Sequence, residues 1–299
     1  MVSIKDVAQR AGVAIGTVSR AFNNYPDVLP ATKERIFTAA RELGYTPNVN
    51  ARSLSAKRPP NICLIASEML RGDDRDAMLY EVIKGIMGYA MDHGLEFSVH
   101  TTDSTRQEQI SFIDFCKLHS ISGAIVTGVK TDDPYFVELV RSDIPVVGVD
   151  LPIEGEQAGW VSINNPQAAE DAVTELFARG LDRLLIVAGS RNAAVNESRM
   201  SGVERAFQSA GRTLSEDQVL YADFREDTAR LRCGEWLDGH ETPDAVFCFS
   251  DIMALGVLQA LGERNISVPG SVSVMGFDGM PFTTLTSPPL STVAYNLIF

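Results

Sequence analysis

Apolar residues recur at helical spacing in three short blocks at the start of the chain. Val7, Ala8 and Ala11 form one stripe, Val18 and Phe22 a second, and Ile36, Ala39, Ala40 and Leu43 a third. Ser3 followed by Asp6 has the form of a capping box, and Gly12 and Gly44 stand where left-handed residues close helices. The pattern therefore predicts a first helix from Ile4, a tight turn at Gly12, a second helix through Asn23 and a third from about Pro30 to Leu43. Thr46-Pro47 then opens a stretch of about ten residues that Pro59-Pro60 must end. It has no broad apolar face and is marginal as an isolated helix.

From Asn61 the periodicity changes to short apolar runs alternating with helical segments. Ile62–Ala66, Leu95–Thr101, Ala124–Thr127 and Val146–Val149 read as strands, with helices near 77–93, 105–118 and 133–141. A second series follows: strands at Trp160–Ile163, Leu184–Ala188, Val219–Ala222, Ala245–Phe249 and Val272–Phe277, with helices near 166–179, 199–210, 226–237 and 251–264. Such alternation implies parallel sheets covered by helices on both faces. Two lobes of this kind enclose a cleft, and ligands of open α/β sheets sit at the carboxyl ends of the strands.

The charge distribution sharpens the division. The whole chain of 299 residues has net charge −13 and a pI near 4.8. Residues 1–58 carry nine Lys/Arg (Lys5, Arg10, Arg20, Lys33, Arg35, Arg41, Arg52, Lys57, Arg58) against Asp6, Asp27, Glu34 and Glu42, a net +5. The remainder holds 17 basic and 35 acidic residues, a net −18. A cationic tip on a body that phosphates repel fits a nucleic-acid reader, with a helix-turn-helix presenting its second helix to the major groove.

Other classes are disfavoured. No apolar stretch approaches the ~18 residues of a membrane span, and the chain enters a folded helix without a secretory signal, so a cytoplasmic, nucleoid-associated location is expected. Cys63, Cys116, Cys233 and Cys248 have neither metal nor redox spacing and read as reduced core residues. His93, His100, His119 and His240 show no ligand spacing either, so no metal and no cofactor is expected. An enzyme on the same scaffold is the alternative, but there is no G-x-G-x-x-G after the first strand, no phosphate loop and no G-x-S-x-G elbow. A solute-binding protein would need a signal peptide and no basic head.

The run Ile4–Leu54, with Val18-Ser19-Arg20, Glu42-Leu43-Gly44-Tyr45 before Pro47, and Ala51-Arg52-Ser53-Leu54, resembles the head and hinge of lactose-repressor (LacI/GalR-type) regulators. Phe249-Ser250-Asp251-Ile252-Met253-Ala254-Leu255-Gly256, Gly276-Phe277-Asp278 and Ser287-Pro288-Pro289-Leu290-Ser291-Thr292-Val293 are similar to that family's second-lobe signatures. The resemblance implies a helix-turn-helix head at 1–46, a hinge helix and linker at 47–60, and a periplasmic-binding-protein-like bilobed body at 61–299, with lobes at about 61–155 and 160–290. Family members typically continue for several dozen residues past Thr292-Val293.

By the same resemblance, Ile15 and Gly16 fall on the main base-reading positions and Arg20 on a third. Thr17, Ser19 and Asn23 fall on positions that hold phosphates or nearby bases, Ala51 lies in the hinge signature, and Leu54 matches the residue that wedges between base steps in the minor groove. Read without the family, Leu54 is also compatible with a linker carrying a stray leucine. Ile15 suits a thymine methyl and Arg20 a guanine edge, while Gly16 offers no side chain. Ala14 and Leu29 replace capping serines.

In the body, the resemblance maps effector contacts onto Asp150, Arg199, Phe224, Ser250 and Asp278, with Thr127 a weaker match. Each has an alternative structural reading: Phe224 as core, Arg199 as a first-turn surface residue. Asp251 reads as a helix cap rather than as a ligand contact. The expected function is that of a homodimeric transcriptional repressor binding operator DNA under control of a small molecule, a carbohydrate by preference because a cleft with several carboxylates suits hydroxyls.

Overall fold

The computed structural model describes residues 2–22, 25–45, 61–69 and 77–294. Its contacts divide into two units, Met1–Pro59 and Pro60–Phe299. The expected hinge segment, Asn23, Ala51 and Leu54 lie outside the described residues.

In the head, α1 (Ile4–Ala11), α2 (Ile15–Phe22) and α3 (Pro30–Leu43) enclose a core of Val7, Ala8, Ala11, Val18, Ala21, Val28, Ile36, Ala39 and Ala40, with Phe22 and Leu43 packed at its margin. The three apolar stripes converge there. Ser3 and Asp6 form the reciprocal capping box, and Gly12 and Gly44 take left-handed φ of 63° and 64°. Leu29 precedes α3 without giving it a side-chain cap. Arg35 donates to the Ala11 carbonyl at 2.8 Å and Arg10 pairs with Glu42 at 2.6 Å, which ties α1 to α3.

The body contains two parallel five-stranded sheets. The first has the order β2 (Glu96–Thr102), β1 (Asn61–Ser67), β3 (Gly123–Thr127), β4 (Val146–Val149), β5 (Ala158–Val161). Alternate residues of β1 face opposite cores: Cys63 and Ile65 pack with Phe112, Tyr135 and Leu139, whereas Leu64 and Ala66 pack with Leu79. Its helices are α4 (Ala77–Asp92), α5 (Ser104–Gln109), α6 (Phe112–Leu118) and α7 (Pro134–Val140). The single helix expected at 105–118 is thus two, because Ser111 caps a new helix by accepting from the Asp114 amide at 3.1 Å.

The second sheet runs β10 (Ser291–Ala294), β9 (Ser273–Asp278), β8 (Ala245–Cys248), β6 (Leu184–Ala188), β7 (Val219–Tyr221). Around it lie α8 (Asn165–Ala178), α9 (Ala194–Ser209), α10 (Glu226–Gly239) and α11 (Asp251–Glu263). Gly202 lets α8 and α9 approach closely, since a Cβ there would overlap the Pro166 carbonyl.

One strand changes sheets relative to expectation. The run starting near Trp160 does not open the second lobe: Ala158–Val161 pairs with Val146–Val149 and is the last strand of the first sheet. The chain passes to the second core at Ile163. Cys63, Cys116, Cys233 and Cys248 are buried and unbridged. No helix among the described residues is long and apolar enough to cross a membrane, and no group of three or more His, Cys, Asp or Glu among them is placed to hold a metal.

Candidate functional site

On the head, α2 keeps Val18 and Ala21 inward and turns its other side outward. Ile15 is 45% exposed despite its apolar side chain, and Gly16 has open space where a side chain would be. Thr17 and Ser19 are half-buried beside them. Arg20 is exposed and reaches across the following turn to Asp27, Nη2 to Oδ2 2.6 Å, with its guanidinium 5.6 Å from the Tyr25 ring centroid. The helix thus presents one apolar residue, a gap and one cation along a single face.

In the body, the polar side chains converge at the carboxyl ends of the strands. Asp150 follows β4, with the Ser162 hydroxyl donating to Oδ1, and Asn165 Nδ2 lies 2.8 Å from Ser162 Oγ and 3.4 Å from Asp150 Oδ1. Arg199 Nε donates to Asn165 Oδ1 at 2.9 Å. Arg199 Nη1 donates to the Phe249 carbonyl, and Nη2 pairs with Asp278 Oδ1 at 3.3 Å. The guanidinium also lies over the Phe277 ring, 3.8 Å from its centroid. One hydrogen-bonded chain therefore runs from the first sheet through Asn165 and Arg199 to the end of β9.

Two expectations need correction here. Arg199 does not start its helix: α9 begins at Ala194, and Arg199 is a second-turn residue only 3% exposed. Asp251 is not the cap of α11. Ser250 is, its hydroxyl oxygen accepting from the Met253 amide at 3.2 Å. Asp251, completely buried, accepts from the Met280 amide at 2.7 Å and from Thr292 Oγ1 at 2.5 Å. It binds the start of α11 to β10. Burial pushes its carboxyl up to about 6, against the opposing hydrogen bonds from Thr292 and the Met280 and Gly279 amides and the attraction of Arg199.

Thr127 is buried at the end of β3, one strand from Asp150, with which it shares the β3–β4 edge. Phe224 follows β7 and its ring packs against Gly189, where any Cβ would overlap it. Asp150, Asp223, Phe224 and Asp278 all have positive φ, at 53°, 52°, 56° and 115°. Non-glycine residues held there cost about 1–3 kcal/mol each, and such strain concentrates at ligand sites.

Sequence reasoning passed over Ser162 and Asn165, which join the two ends of the network. It also missed a second bridge: Asn192, after β6, donates to Asp132 Oδ2 at 2.6 Å, and its carbonyl accepts from the Thr131 amide at 3.1 Å. The available signal was Asn164-Asn165-Pro166, since an asparagine next to a first-turn proline marks a helix start that faces the strand ends.

Residues 3–48 match the family described as bacterial regulatory proteins, lacI family, and residues 173–297 match a periplasmic binding protein-like domain. The chain is 32% identical over 294 residues to the HTH-type transcriptional repressor PurR of Vibrio atlanticus (strain LGP32), an alignment spanning 98% of this chain and 86% of that protein. This chain belongs to the lacI family of regulators. Among solved structures, the transcriptional regulator CelR in complex with cellobiose is similar, with a TM-score of 0.68 and 28% identity over 98% of this chain and 87% of that one. The lac repressor dimer bound to operator and the anti-inducer ONPF shares the fold, with a TM-score of 0.80 at 23% identity over 99% of this chain and 88% of that one. This lacI-family regulator is thus a helix-turn-helix repressor whose bilobed body answers to an effector, and its relatives are transcriptional regulators rather than enzymes.

Proposed function

We propose that this lacI-family repressor reads operator DNA as a homodimer in the bacterial cytoplasm and releases or tightens its grip when a carbohydrate occupies the body's cleft. The observation that carries the effector half is the Arg199 network: a buried guanidinium joined to Asp278, Asn165 and Phe249, with Asp150 at its far end. Planar carboxylates and a guanidinium recognise vicinal hydroxyls, and Phe224 offers an aromatic face. Thr127 and Ser250 border the same strand ends. The complex of CelR with cellobiose supports a sugar as the guest.

On the DNA side, Ile15 meets a thymine methyl and Arg20 a guanine edge. Thr17, Ser19 and Asn23 hold the neighbouring phosphates or nearby bases. Ala51 and Leu54, within a hinge at 47–60, enter the minor groove at the operator centre. The lac repressor bound to its operator supports this reading. The dimer is supported by α4, where Tyr80, Met87 and Met91 recur on one face and are exposed.

The test uses the full chain. Binding to duplex DNA weakens steeply with added salt, and a thermal-shift screen against sugars and nucleobases finds a compound that raises the melting temperature and alters operator affinity. A shift with nucleobases and none with sugars removes the carbohydrate. No salt-dependent DNA binding removes the whole reading.

A further inference from the structure

Beyond the residues that face DNA, the turn after α2 has a geometry of its own. The Tyr25 amide donates to the Arg20 carbonyl at 3.0 Å, and Val28 is buried in the head core. The turn is therefore anchored at both ends of Asp27's neighbourhood. From it Asp27 holds Arg20 by one nitrogen, Nη2, at 2.6 Å, while Tyr25 lies 5.6 Å from the guanidinium carbon. Both charged side chains remain about half exposed, at 56% and 47%, so the pair faces solvent rather than the core.

We propose that Asp27 is a specificity-determining residue of the head, holding the Arg20 guanidinium ready for guanine and against phosphate. The proposal rests on Arg20 being a base-contacting residue. Guanidinium has five N–H donors in a fixed plane. Pairing with Asp27 through Nη2 alone leaves the donors of Nη1, with the Nη2 hydrogen turned away from the carboxylate, for the O6 and N7 acceptors of a guanine. The carboxylate acts in two ways. It fixes the plane of a long side chain before DNA arrives, so less rotamer freedom is lost on reading the base. It also penalises the alternative contact. An Arg20 that swings to a phosphate abandons Asp27 as an unpaired anion beside the DNA backbone.

The effect is bounded by the exposure of the pair. A solvent-facing ion pair shifts an equilibrium by up to about fivefold, and two heads on one operator multiply that factor. A bidentate arginine–guanine contact discriminates by roughly five- to 150-fold, so the buttress adjusts this contact and does not replace it.

The experiment selects an operator duplex from a randomised library with the full wild-type chain, then replaces each guanine in turn with 7-deazaguanine, which lacks the N7 acceptor. Wild type loses affinity at one guanine per half-site, and Arg20→Ala is indifferent to that replacement. Asp27→Ala cuts the sensitivity about three- to fivefold. It also steepens the salt dependence on an unrelated duplex by about 0.9 per head, the signature of one more phosphate contact. Asp27→Asn, which keeps an acceptor without the charge, falls between wild type and Asp27→Ala. Unchanged melting of all three variants excludes a folding effect.

If Asp27→Ala keeps full sensitivity while Arg20→Ala has none, the buttress is wrong and the reading of Arg20 stands. If Asp27→Ala and Asp27→Asn gain affinity equally on every duplex, Asp27 acts by repulsion alone and the proposal is overturned. If no guanine is sensitive in wild type, or Arg20→Ala keeps the sensitivity, the reading of Arg20 falls and takes the proposal with it.

Discussion

Arg199 Nε and Asn165 Oδ1 are 2.9 Å apart, and through this bond the end of the first sheet is connected to the floor of the second. Arg199 is one of few charged side chains removed from solvent among the described residues, and Asp278, its partner, is 12% exposed. Deleting one member of such a pair costs about 3–5 kcal/mol, because the other is left desolvated and alone. Arg199→Ala is therefore expected to lower the unfolding free energy of the body by that amount in urea melts. It abolishes the effector's influence on operator affinity while effector-free binding persists. Arg199→Lys recovers part of the stability but not the response, since an ammonium cannot span Asn165, Asp278 and the Phe249 carbonyl together.

Gly189 is the floor on which the Phe224 ring rests. Gly189→Ala forces the ring to move and leaves the head untouched. Isothermal titration with the effector should show affinity reduced by tenfold or more, with operator binding by the free protein unaltered. Equal effector affinity in the alanine variant would remove Phe224 from the site.

Asp251 makes stability depend on pH in an unusual direction for a carboxylate. Its acid dissociates near 3.8 when unfolded and at about 6 when folded, so the folded state holds the proton more tightly. The stability this confers is complete below pH 4 and is lost as pH rises through 6. The gap corresponds to about 3 kcal/mol. Asp251→Asn retains hydrogen-bonding groups toward the Met280 amide and Thr292 but cannot ionise. Urea melts at pH 4.5 and 7.5 should show the variant gaining about 2 kcal/mol on wild type across that interval, because at pH 4.5 the unfolded carboxyl is already largely ionised.

Leu29 is 71% exposed at the cap position of α3 and offers the helix nothing. Leu29→Ser supplies an oxygen for the first-turn amides and is expected to stabilise the head by about 1 kcal/mol. Hydrogen exchange of the α3 amides checks it.

The head was legible in the sequence because its signals are local. Ser3, Gly12 and Gly44 each act within a turn of their own position, and the three stripes point inward by periodicity alone. The body was legible as alternation but not as assignment. Ala158–Val161 has the same composition whichever sheet it joins, and only its pairing with β4 decides. The start of α9 was missed because Ala193 caps it without a side-chain bond, so no polar residue announces the helix. Asp251 was misread for the opposite reason. An acid at a helix start is a common signal, yet this one turns away toward Thr292, which is 41 residues distant. The Arg20–Asp27 pair joins two exposed residues across a turn and leaves no trace in hydrophobic periodicity.

Among the described residues, the Tyr135 hydroxyl in the first core is the one buried side-chain polar atom without a partner; the cleft floor has none. A guest arriving there meets polar groups already oriented by one another, so it must match directions the protein has fixed, gaining little from any one hydroxyl and losing in full for each it lacks. Discrimination in such a receptor comes from matching the whole pattern at once, so a deoxy analogue is refused far more sharply than a single lost contact would suggest.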